Sequence, residues 1–171
     1  MRMPFRTCKM LRAIVGSAIL LAGLVATGQS STQTRMPIVR SLRQCRKHTP
    51  YNCDESVVGL AAARYWRGDT SLLPLLLDVA SNSDGALSEG LGDFLSTLLC
   101  KKTNVFLNEV AKRPRAQWHN LTFLAATADG SGMGCGNLNG LRKKLTVIAR
   151  RDATREALLA RECLAQINKY N

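Results

Sequence analysis

Ser83-Asp-Gly-Ala-Leu-Ser-Glu-Gly-Leu-Gly-Asp-Phe-Leu-Ser-Thr-Leu98 decides the fold. Leu87, Leu91, Phe94, Leu95 and Leu98 recur at i, i+4, i+7, i+8 and i+11, one face of a 3.6-residue helix and not the alternation of a strand. Ser83 and Asp84 stand ahead of it as caps. Downstream, Thr103 is read as the cap of a helix that turns Phe106, Leu107, Val110 and Ala111 inward until Pro114 ends it. Trp118, Leu121, Ala125 and Ala128 make the next face, closed by Asp129-Gly130. Two more follow, marked by Leu138, Leu141, Leu145 and Ile148, then by Ala160, Cys163, Leu164 and Ile167. Upstream, Asp69 to Ser71 caps Leu72 to Val79, where Pro74 is tolerated because it lies in the first turn. Val57, Val58, Ala61, Ala62 and Tyr65 form a face ending at Trp66, with Gly68 as the stop. With β-branched residues sparse and no strand-like alternation, the expected fold is all-α.

The start of the chain is different in kind. Arg2, Arg6, Lys9 and Arg12 precede an apolar run from Ala13 to Ala26, and the small residues Ala26 and Gly28 follow it. A basic start, about fourteen apolar residues and a small-residue end are the marks of a secretory signal peptide, since a comfortable span needs about 20 apolar residues. An uncleaved anchor is the alternative. The division that follows is a signal peptide over 1–28, a polar linker and basic N-terminal arm or helix over 29–56, and an all-α domain over 57–171. In the second segment Pro37 suits a first helical position, Ile38, Leu42 and Cys45 fall on one edge, and Thr49-Pro50 stops the helix.

Export places the cysteines in an oxidising compartment, periplasmic or extracellular. Cys8 leaves with the leader, so Cys45, Cys53, Cys100, Cys135 and Cys163 remain. The expected bridges are Cys45 with Cys53, and Cys100 with Cys135, because stacked helix pairs place the last two at one edge. Cys163, on an apolar face, reads as a buried thiol. The charge is strongly basic, +12 for the whole chain, and remains +8 once the four leader cations are removed. Arg35, Arg40, Arg43, Arg46 and Lys47 have no acid among them, whereas Asp54 to Asp93 is acid-rich against Arg64 and Arg67. Such basic segments suit anionic lipid or polymer, or an acidic protein, and equally a set of solvated helix faces; export argues against nucleic acid.

Ser71-Leu-Leu-Pro-Leu-Leu-Leu-Asp-Val-Ala and Thr103-Asn-Val-Phe-Leu-Asn-Glu-Val-Ala share an acid-Val-Ala ending, and Leu145-Thr-Val-Ile-Ala149 is a looser third copy. With the Gly68-Asp69 opening before Leu72-Leu73-Pro74-Leu75-Leu76, the pattern over residues 57–151 resembles the HEAT-type α-helical repeat. It departs from that pattern where Gly130 to Gly136 inserts a long loop. The resemblance implies short antiparallel helix pairs stacked as a small solenoid; a plain irregular helical bundle is the other architecture open to these helices. It also implies a scaffold that binds partners along a concave face and has no catalytic residues of its own.

Catalytic and metal patterns are missing. Asp129 to Gly136 is glycine-rich but fits neither a dinucleotide fingerprint, nor a phosphate loop, nor a calcium loop. Only His48 and His119 occur, with no Cys-x-x-Cys, so zinc and haem lack ligands at usable spacing and no metal or cofactor is expected. No nucleophile elbow exists, Cys53 beside His48 reads as a bridge partner, and Glu89 with Asp93 reads as a solvated acidic face rather than a hydrolytic pair. Arg67-Gly68-Asp69 reads as a helix stop and start rather than an adhesion tripeptide. The sequence therefore leads to an exported, non-catalytic binding or scaffold protein of the cell envelope, most naturally for another protein. The alternatives are a basic module for anionic polymer or lipid, and a hydrolase with an unrecognised acid pair.

Overall fold

The computed structural model describes residues 35–47, 53–83, 85–127 and 135–170. The leader, the Thr49-Pro50 stop, the Asp84 cap and the Asp129-Gly130 closure lie outside them, as does His48. The described residues form eight α-helices and no strand: α1 Arg35–Lys47, α2 Glu55–Trp66, α3 Leu73–Ala80, α4 Gly85–Lys101, α5 Thr103–Ala111, α6 Trp118–Thr127, α7 Leu138–Ala149 and α8 Arg155–Tyr170. Single 3-10 turns, Thr70–Leu72 and Arg115–Gln117, lead into α3 and α6. The chain is all-α.

Local chemistry sets the ends. Asp54 caps α2, its carboxylate accepting from the Ser56 amide at 2.9 Å, so that helix begins two residues earlier than its apolar face suggests. Gly68, at φ 112°, lets the chain turn out of α2 where other residues would be strained. Pro74 sits in the first turn of α3, where its missing amide hydrogen has no intrahelical partner to lose. Thr103 is not the cap expected of it. It is the first helical residue of α5, after Lys102, and its hydroxyl donates back to the Leu99 carbonyl at 2.7 Å, closing the end of α4. Only Lys102 separates α4 from α5.

The core runs through the whole set. Leu91, Leu95, Leu98 and Leu99 of α4 are fully buried, as are Leu76 and Leu77 of α3, Phe106 of α5, Leu121 of α6, Leu145 of α7 and Ile167 of α8. The most extensive packing is of α4 on α6, followed by α7 on α8 and α6 on α8, while α2 lies against α4 and α5 against both α4 and α8. Ile38 and Leu42 of α1 join the same core, through packing on α2 and α3. Helix α1 is thus docked against the other helices.

Polar stitches cross between elements. Arg113, just after α5, pairs with Asp78 of α3 and also donates to the Pro74 carbonyl. Asn120 donates from α6 to the Ala80 and Ser81 carbonyls at 3.1 Å each, which satisfies the end of α3 and occupies the amide of the Asn120-Leu-Thr122 sequon. Arg155 lies over the Trp118 ring and donates to the Arg113 carbonyl, tying the start of α8 to the same corner. Cys45 and Cys53 are bridged with Cα atoms 4.8 Å apart, and Cys100 and Cys135 with Cα atoms 5.4 Å apart. Cys163 is buried and free.

Candidate functional site

The first half of α2 and the start of α4 lie side by side without filling the space between them. Glu55, Val58, Gly59 and Ala62 from α2 face Ala86, Leu87 and Gly90 from α4 across a cavity of about 220 Å³. The spacing explains the lining: 55, 58, 59 and 62 share one face of α2, and 86, 87 and 90 one face of α4. Four of those seven positions, Gly59, Ala62, Ala86 and Gly90, carry at most a methyl group. Val58 and Leu87 are buried at the bottom, while Gly59, Ala86 and Gly90 are exposed.

Further along the same two helices the gap closes on aromatic rings. Tyr65 meets Phe94 edge-on at 5.4 Å between centroids, and Trp66 meets Phe94 at 5.9 Å and Tyr65 at 5.1 Å. Early residues of α2 thus face early residues of α4, and late face late, so the two helices run parallel. Trp66 remains 38 % exposed at this end. Lys102 lies 4.9 Å from the Tyr65 ring and 5.3 Å from the Trp66 ring, and Lys101 6.0 Å from Trp66. Burial, with the nearby Glu109 charge, pushes the Tyr65 phenol above its usual range. At the opposite end, hydrogen bonds from Ser56 hold the Asp54 carboxyl below the usual range, which keeps it ionised. Glu89 and Asp93, the acid pair of the hydrolase reading, are both exposed on α4.

Three other places carry polar chemistry. On α1, Arg40 and Arg43 are exposed on the side opposite Ile38 and Leu42, and Arg35, Arg46 and Lys47 belong to the same helix. A cavity of about 300 Å³ lies beside the Cys100–Cys135 bridge, with Lys101 and Lys144 on its wall and Asn137, which caps α7 by accepting from the Gly140 amide, at its edge. Between α6 and α8, Glu162 accepts from Thr122 at 3.2 Å and stands 3.5 Å from His119, whose ring lies 3.3 Å from Gln166. That ring is exposed. Among the described residues no cluster of three His, Cys, Asp or Glu side chains could hold a metal ion, and no helix is long and apolar enough to cross a membrane.

The sequence pointed to the cysteines and to the α1 cations, and the structure places these at separate points: one bridge between α1 and α2, one at the α4 and α7 ends. It did not point to the groove. The available signal was Gly59 and Gly90, two glycines inside helices where alanine is the better former. Compared with known proteins, the chain matches no family model, no curated protein and no solved structure.

Proposed function

We propose that this is an exported, non-catalytic binding protein that holds another protein along the groove between α2 and α4. The observation that carries this reading is the groove itself: an apolar floor of Val58, Leu87 and small residues, with a part-exposed Trp66 beyond its closed end. An indole with one wet edge and an apolar body is what protein interfaces favour. The two cysteine bridges support export, since such bonds persist outside the reducing cytosol. The likeness to HEAT-type repeats supports a scaffold role, because those repeats bind partners along a helical face.

A photo-crosslinking residue placed at Ala86, and separately at Val147 on the exposed face of α7, tests this in the native compartment. A discrete protein adduct from Ala86 and none from Val147 is the expected result. Adducts from Val147 alone, or no protein adduct from Ala86, would overturn it. A second reading, attachment to an anionic lipid or polymer, is favoured by Arg40 and Arg43, which point away from the core on a helix without acids.

A further inference from the structure

The groove has a charge polarity along its length. Asp54 and Glu55 stand at the first end, and Glu89 and Asp93 follow on the α4 rim, all four exposed. Past the closed stretch Lys101 and Lys102 gather at Trp66, with Arg67 just beyond α2; the one acid near Tyr65 there, Glu109, is paired with Lys112, which leaves this end cationic. Because α2 and α4 are parallel, their positive dipole ends coincide with the acidic end and their negative ends with the cationic end. A third helix laid antiparallel would bring its C-terminus, where lysine and arginine are favoured, against Asp54 and Glu55. Its first turn, where acids are favoured, would meet Lys101 and Lys102. Laid the other way, the same helix would set like charge against like at both ends.

Length and floor agree with such an occupant. The open cavity follows α2 from Glu55 to Ala62, about 12 Å or two helical turns, and the exposed edge of Trp66 carries the track about one turn further. Gly59 and Gly90 are not among the glycines with positive φ, and a Cβ added at either meets nothing within 4 Å. Neither backbone conformation nor packing among the described residues requires glycine there, while the open floor lets a foreign backbone come close.

We infer that the groove docks one amphipathic helix of a partner protein, antiparallel to α2 and α4, with small and aliphatic side chains downward, acids in its first turn and lysine or arginine in its last. This rests on the protein-binding reading above. Two stapled helical peptides of identical composition test it on the mature chain at low salt: one with Glu in the first turn and Lys in the last, the other with those residues exchanged. The first should bind at least about tenfold more tightly, shifting Trp66 fluorescence, and the preference should shrink in 1 M salt. The Gly59→Leu, Gly90→Leu double variant should keep or raise the Tm and lose binding of both peptides. Equal affinities, no binding by either peptide, or undiminished binding by the double variant would overturn the inference. So would a crosslink from Ala86 into the chain's own residues 29–34. A chain that captures a protein in its compartment yet fails with both peptides keeps the protein-binding role and loses this mode of docking.

Discussion

Cys163 is fully buried on α8, and burial together with the neighbouring Glu162 charge drives its thiol well above the ordinary 9.0. The folded state therefore keeps this proton over a range of pH in which the unfolded chain has lost it. Stability should fall as pH rises past about 9, by up to roughly 1.4 kcal/mol per unit from this group. Denaturant titrations of the wild type and of Cys163→Ala between pH 7 and 10.5 check it, since the variant should lack that part of the slope. Asp54 works in the opposite direction: its carboxyl is depressed, so its contribution is present above the unfolded value and lost as pH falls through the folded one. Gly59→Ala and Gly90→Ala should each raise stability by about 0.5–1 kcal/mol, because the new methyl meets nothing and the helix gains a better former. A loss in thermal melts would show that these glycines serve the fold. The buried character of Cys163 was legible from Ala160, Leu164 and Ile167 around it. The role of Asp54 was not, because a single acid in Tyr51-Asn-Cys-Asp54 reads equally well as a turn.

The helices themselves were legible where one stripe of large apolar residues alternates with polar ones, as in α4. Legibility stopped at which stripe meets which. Leu87, Leu91 and Leu95 announce a buried face, but nothing local says that Ala86 and Gly90 lie opposite Gly59 and Ala62, or that Arg113 reaches Asp78. Helix α1 shows the same limit. Five cations around Ile38 and Leu42 suggested an arm or helix apart from the helical domain, whereas Ile38 and Leu42, with Val39 and Cys45 packed beside them, join α1 to the core. Leu42→Ala should therefore cost about 2–5 kcal/mol, measured by chemical denaturation. Replacing Arg35, Arg40, Arg43, Arg46 and Lys47 with glutamine should leave the helical circular dichroism intact and abolish salt-sensitive retention on anionic vesicles. Retention that persists would assign it to the cations of α7 and α8. Opening the Cys45–Cys53 bridge should cost about 2.5 kcal/mol in the chain-entropy model, and opening Cys100–Cys135, whose loop is longer, about 3.8 kcal/mol.

Along the chain, acids gather between Asp54 and Asp93, while the cations lie mostly on α1, after Cys100 and along α7 and α8. This asymmetry was plain in the sequence. The signal-peptide reading of residues 1–28 predicts a mature chain that starts within about two residues of Gln29. N-terminal sequencing of the native protein checks that. The Cys100–Cys135 bridge also sets how the molecule would behave under load. Its partners stand 35 residues apart, and α5 and α6 lie between them. A force applied at the two termini passes from the end of α4 straight across the sulfurs to the start of α7, so α5 and α6 bear none of it. Single-molecule stretching should show the oxidised chain shorter at full extension than the reduced chain by about 120 Å for this loop. The middle of the protein would remain slack while its ends are pulled taut.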